Sequence, residues 1–105
     1  MEMPNTNYID SVAGGDDAFR TKFIAILKTE YPDEIAHYKK VQSAQDFTST
    51  ASIVHKLKHK LNVCGMQEAY GLAVKYEEEL KVQRDRHHAE FVKILDQVDE
   101  FIKSL

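Results

Sequence analysis

Two histidines and three lysines in the stretch Ile53 to Gly65, IVHKLKHKLNVCG, have the types and spacing to do chemistry. His55, Lys58, His59 and Asn62 stand three, four and seven residues on from the first, offsets that fall on one face of an α-helix. Val54, Leu57 and Leu61 form a separate apolar stripe, turned from His55 by roughly 100 to 160° at about 100° per residue. Such a helix buries one side and shows an imidazole flanked by cations on another. A neutral imidazole is a nucleophile only at the nitrogen that keeps its lone pair, so the other nitrogen must carry the proton.

A carboxylate on the proton-bearing side would arrange this. If the helix turns back near Gly65 and Met66, His55 comes level with Glu77 and His59 with Ala73, so only His55 gains an acid. Accepting from Nδ1–H, Glu77 would fix the tautomer, orient the ring, raise its basicity and leave Nε2 facing solvent. Lys58 one turn away, with Lys56 and Lys60 nearby, suits the site to an incoming phosphoryl group or a negatively charged partner surface.

The elements that must hold these residues read as helices throughout. Only 4 Gly and 2 Pro occur, and helix-favouring residues are spread along the chain. Residues 1–7 are polar, contain Pro4 and read as a frayed lead-in. Tyr8, Ile9 and Val12 form a short helix over one end of the core, stopped by Gly14 and Gly15, and Asp16 or Asp17 caps the next helix. Phe19, Phe23, Ile26, Leu27, Ile35, Tyr38 and Val41 then recur at helical spacing, with a kink or break expected near Tyr31 because Pro32 removes a backbone donor. A third helix turns Phe47, Thr50, Val54, Leu57, Leu61 and Cys64 inward and ends at Gly65. A fourth carries Ala69, Leu72, Ala73, Tyr76 and Leu80, and KVQRDRHHAE holds the following turn, with His87 and His88 expected in solvent. The last carries Phe91, Ile94, Leu95, Val98, Ile102 and Leu105. The expected fold is therefore all-α: an antiparallel up-down-up-down four-helix bundle with a short N-terminal capping helix.

A chain of 105 residues is long enough for one core and not two, so residues 1–105 read as a single domain. The net charge of −3 makes no global case for nucleic acid or membrane as a partner, so any electrostatic function is local. The single cysteine, Cys64, allows no intramolecular disulfide and reads as packing in a reducing interior. The N-terminal residues lack a basic region followed by an apolar run, and no segment approaches the roughly 20 apolar residues of a membrane span; a cytoplasmic protein is expected.

The run His55-Lys56-Leu57-Lys58, with Gly65 ten residues after the histidine and Glu77 on the next helix, resembles the histidine-containing phosphotransfer (HPt) domain of bacterial multistep phosphorelays. The similarity takes in Gly14-Gly15-Asp16, Phe19, Phe23 and the tyrosine- and glutamate-bearing fourth helix, and so covers nearly the whole chain. It implies a phosphocarrier without autonomous kinase activity. His55 would be phosphorylated on Nε2 by a receiver-domain aspartyl phosphate and pass the group to another receiver. Lys58 matches the lysine that stabilises the phosphoryl group, and Glu77 the polar position that hydrogen-bonds the histidine. The implied partners are response-regulator receivers and a hybrid histidine kinase, docking over Ser52, Lys56, His59 and Asn62. Mg²⁺ would sit on the receiver, this domain would need no metal or cofactor of its own, and it would act as a monomer.

The chain departs from the family at His59, where glycine usually follows the lysine to let the receiver approach. An imidazole there narrows the choice of receiver, adds a donor to the phosphoryl group or obstructs docking. A degenerate HPt-like adaptor that binds a receiver without phosphotransfer is therefore one alternative. A metal-binding helical bundle using His55, His59 and Glu77 is another, disfavoured by the neighbouring lysines. Lys56 and Lys60 otherwise read as a solvated face, His37 as a surface residue, and Tyr70 and Tyr76 as packing.

Overall fold

The computed structural model describes residues 2–105, and these form five helices with no strand among them. They are α1 (Asn7–Ala13), α2 (Asp17–Ser43), α3 (Phe47–Val63), α4 (Gln67–Lys81) and α5 (His88–Lys103). Local chemistry sets their limits. Gly14, at φ 57°, ends α1 in the left-handed conformation that costs glycine little. Asp16 accepts from Phe19 N at 3.0 Å and Asp46 from Ser49 N at 3.1 Å, each satisfying a free amide in the first turn of α2 and of α3.

The helices bury one stripe each. Leu27, Tyr31, Tyr38, Val54, Leu57, Leu61, Ala73, Tyr76, Leu80, Phe91, Leu95, Val98 and Ile102 make a single core, which Ile9 of α1 joins. α3 packs on α4 and α2, α5 on α2 and α4, and α1 on α2. The Tyr31 hydroxyl donates to Leu95 O at 2.8 Å, so the largest residue in the middle of α2 is also a polar tie to α5. Among the described residues, no helix is long and apolar enough to cross a membrane.

Three local expectations change. α2 is continuous over 27 residues, and Pro32 does not break it. Pro32 lies on the exposed face, and the buried residues Leu27, Tyr31, Ile35 and Tyr38 carry the helix past it. Phe19 and Ile26 are exposed, as are Tyr8 and Val12. The stripe that α2 buries runs Ile24, Leu27, Tyr31, Ile35, Tyr38, Val41, and Ile26 points about 100° away from Leu27. Residues 2–6 are docked rather than frayed. The Glu2 carboxylate accepts from Glu68 N at 2.8 Å and Ala69 N at 3.0 Å, capping α4 from a distance, and Asn5 N donates to Cys64 O at 2.9 Å. Met1 lies outside the described residues.

Candidate functional site

The hairpin of α3 and α4 positions the histidine. Three residues, Cys64 to Met66, join the two helices, and Gly65 adopts φ 76° there. The left-handed backbone demands glycine, and a Cβ there would come within 2.6 Å of the Asn5 side chain and force it to shift. Asn62 Oδ1 accepts from Gln67 Nε2 at 3.1 Å beside the turn, and about two helical turns further along α3 His55 meets Glu77. The spacing argument from the turn and the observed pairing agree.

His55 Nδ1 lies 3.1 Å from Glu77 Oε1 and 3.4 Å from Oε2. Lys58 Nζ lies 3.2 Å from Glu77 Oε2 and 3.3 Å from His55 Nδ1. The ring is open, with 52% of its side chain exposed, whereas Glu77 and Lys58 keep 15% and 11%. The lysine is thus a buried neighbour of the histidine and not a surface cation. Its Nζ stands 5.7 Å from the centre of the Tyr70 ring, a cation–π distance. Burial works against ionising Glu77, but the hydrogen bond and charge of Lys58, followed by those of His55, outweigh it and hold the carboxyl below the usual glutamate range. Glu77 is therefore an anion facing Nδ1, able to accept its proton in a hydrogen bond on a ring that stays half exposed.

The remaining residues singled out in the sequence surround this triad unevenly. The His59 ring is exposed and stands edge-on to His55, centroids 5.0 Å apart. Lys56 is exposed, and with Ser52, His55, Glu77, Phe47, Ala51 and Leu80 it lines an open groove of about 780 Å³. Ser52 is exposed there, its hydroxyl turned to Thr48 O at 3.3 Å. Asn62 is half-buried near the turn and engaged by Gln67. Lys60 is no solvated cation: it pairs with Glu30 at 3.0 Å and Glu34 at 3.2 Å of α2. Behind His59, a smaller cleft of about 230 Å³ is lined by Phe23, Ile26 and Val63, with buried Leu27 at its floor. Cys64 is buried, and burial pushes its thiol up to about 11, Lys60 only partly opposing this, so it is packing and a poor nucleophile. Among the described residues no group of three or more His, Cys, Asp and Glu side chains is placed to hold a metal ion.

Comparisons of the chain with protein-family models, with curated proteins and with solved structures found no match. The site must be read from its own geometry.

Sequence reasoning missed a second polar cluster at the far end of α4. His87 and His88 are half-buried and engaged, not free in solvent. His87 pairs with Glu79, which Arg86 also reaches at 2.6 Å, and His88 Nδ1 lies 2.6 Å from the Tyr38 hydroxyl. Tyr38 and Tyr76 hydroxyls meet at 2.8 Å, and Tyr76 donates to Asp85. Tyr76 is packing and polar tie at once. The one available signal was chemical: two buried tyrosines need partners for their hydroxyls, and the nearby loop 82–87 is rich in charge.

Proposed function

We propose that this chain is an HPt-type phosphocarrier of a two-component phosphorelay, accepting a phosphoryl group on His55 Nε2 from a receiver aspartate and passing it to another receiver. The observation that carries the reading is the Glu77 carboxylate 3.1 Å from Nδ1 of a half-exposed histidine. With Nδ1–H turned to Glu77, the Nε2 lone pair attacks phosphorus, the N–P bond forms, and the P–O bond to the donor carboxylate breaks with its electron pair leaving on that carboxylate. The imidazole becomes cationic as this happens, and Glu77 lies where that charge develops. Lys58 is close enough to turn its ammonium to the phosphoryl oxygens.

The receiver supplies Mg²⁺ and the acidic pocket, so the domain needs no metal or nucleotide and has no kinase activity of its own. Partners are receiver domains and a hybrid histidine kinase, the domain acting as a cytoplasmic monomer. Its helices are read as an antiparallel up-down-up-down bundle of α2 to α5, with α1 over one end. Ser52, Lys56, His59 and Asn62 form the docking face, and the apolar cleft of Phe23, Ile26 and Val63 behind His59 gives a protein partner something to bury.

A phosphorylated receiver with Mg²⁺ is expected to label the wild type with acid-labile phosphate, while His55→Gln accepts none and stays helical. Label on His55→Gln, or mapped to His59, would sink the assignment. One observation favours the second reading, a degenerate adaptor: the His59 ring stands 5.0 Å from His55, where a receiver must approach. His59→Gly separates the two, because it widens the set of exchanging receivers if the ring merely obstructs. Receiver binding without exchange in both proteins favours the adaptor.

A further inference from the structure

We infer that Lys58 gates the tautomer of His55, holding the imidazole in its non-nucleophilic form until an anion at Nε2 draws the ammonium away. The inference rests on the phosphocarrier reading and concerns the regulation of the same histidine.

Nδ1 of His55 has two neighbours with opposite demands. The Glu77 oxygens, at 3.1 and 3.4 Å, only accept; the Lys58 ammonium, at 3.3 Å, only donates. One ring nitrogen cannot serve both. With a hydrogen, Nδ1 donates to Glu77 and turns its N–H toward the ammonium. Without one, it accepts from Lys58 and turns its lone pair toward the carboxylate. In that second state the proton sits on Nε2, and the half-exposed ring has no lone pair to offer there. The two states differ only in which nitrogen carries one proton.

The surroundings keep Lys58 in the gating position. Its side chain is 11% exposed, bonded to Glu77 at 3.2 Å and seated 5.7 Å over the Tyr70 ring. The bond to Glu77 survives in either state, so opening the gate breaks only the contact with Nδ1. Lysine has three N–H donors on a flexible stem, and an anionic phosphoryl group at Nε2 competes for one of them. When that donor turns away, the carboxylate is the remaining neighbour of Nδ1 and requires a hydrogen. One proton then leaves Nε2 for water and one is taken up at Nδ1 from water, the ring staying neutral throughout. Tyr70 is a positioning residue for the lysine.

Two-bond ¹H–¹⁵N correlation spectra of His55, recorded about two pH units above the ordinary histidine value, read the tautomer ratio directly. The wild type is expected to hold a substantial share of the Nε2–H form. Lys58→Met should move the ratio at least about tenfold toward Nδ1–H, the low end for a hydrogen bond with a charged partner. Glu77→Gln should move it the other way, and inorganic phosphate should shift the wild type toward Nδ1–H but leave Lys58→Met unmoved. Equal ratios in wild type and Lys58→Met would overturn the gate, and a wild-type ratio indifferent to phosphate would overturn its release by an anion. Should Lys58→Met fail to fold, Tyr70→Leu loosens the lysine's seat without touching His55 and must shift the ratio in the same direction. No phosphotransfer enters the measurement. A chain that shifts tautomer but never carries phosphate loses the phosphocarrier reading alone, and one that carries phosphate without the shift loses the gate alone.

Discussion

The Glu77 carboxylate meets the His55 imidazole at 3.1 Å although 22 residues separate them in the chain. The turn at Cys64 to Met66 makes this contact a gauge of register between α3 and α4. Each residue advances a helix by about 1.5 Å and turns it by about 100°, so a slip of one position would carry the carboxylate off the face that sees the ring. Lys58 fixes the same carboxylate from its other oxygen, at 3.2 Å.

Acid should weaken this arrangement through Glu77. Its folded carboxyl lies below the usual glutamate range, burial opposing the shift and Lys58, then His55, producing it. With the folded value depressed, the unfolded chain binds the proton more readily. The contribution is complete above the ordinary glutamate value of about 4.3 and is lost as pH falls through the lower folded value. Urea midpoints measured from pH 6 downward should fall more steeply for the wild type than for Glu77→Gln. Parallel pH profiles would show that the carboxylate gains nothing from its neighbours.

Gly65→Ala should be costly for two separable reasons. The backbone sits at φ 76°, and the new Cβ would approach the Asn5 side chain within 2.6 Å. A non-glycine residue in that region costs on the order of 1 kcal/mol before any clash. Asn5→Gly in the Gly65→Ala background should recover the steric part and leave the backbone part, a coupling readable from a double-mutant cycle in urea. Full recovery would mean that the φ value carries no cost.

Helix type, the apolar stripes of α3 to α5 and the closing turn were legible because each rests on local rules: spacing, Asp16 and Asp46 as caps, glycine at a left-handed position; the first turns of α2 misled, because Phe19 and Ile26 are apolar yet exposed. The pairing of His55 with Glu77 was legible because an antiparallel turn converts sequence distance into height. What escaped is tertiary. Lys58 and Lys60 look alike in the sequence, yet one turns in to Glu77 and the other to Glu30 and Glu34, a difference set by which helix lies beside each. Gln45 and Gln83 take left-handed φ values of 56° and 61° at the ends of α2 and α4, places where residue type carried no signal. The docking of Glu2 on α4 joins residues 66 apart, beyond any periodicity.

Pro32→Ala should stabilise the protein. A proline inside a helix forfeits one hydrogen bond and crowds the preceding turn, at about 3 kcal/mol in an unrelieved setting. Pro32 is on the exposed face of an unbroken α2, so alanine meets no steric obstacle there. Against the gain stands the looser unfolded chain, about 0.4 to 1 kcal/mol. A rise in Tm is expected, and a fall would mean that the packing of Tyr31 and Ile35 depends on the proline.

The polar chain at the other end of α4 has a direction that one residue imposes. Asp85 as a carboxylate accepts only, taking a hydrogen from Tyr76 and another from Gln42 Nε2 at 2.7 Å. Tyr76, having given its hydrogen to Asp85, must accept from Tyr38 at 2.8 Å, and Tyr38, having given its own, must accept from His88 Nδ1 at 2.6 Å. His88 is therefore held with a hydrogen on Nδ1, and the chain joins α2, α4, the loop 82–87 and the first residue of α5. Tyr38→Phe removes a donor and an acceptor together, leaving half-buried His88 and buried Tyr76 each short of a partner. It should cost about 1 to 3 kcal/mol, and Tyr76→Phe a similar amount. Because either change interrupts the same chain, the double variant should lose less than the sum by about 1 kcal/mol. The sharper check is the ring itself: in two-bond ¹H–¹⁵N spectra the wild type should show His88 with its hydrogen on Nδ1, and Tyr38→Phe should release it from that form. A wild-type His88 carrying its hydrogen on Nε2 would reverse the whole chain and require a protonated Asp85.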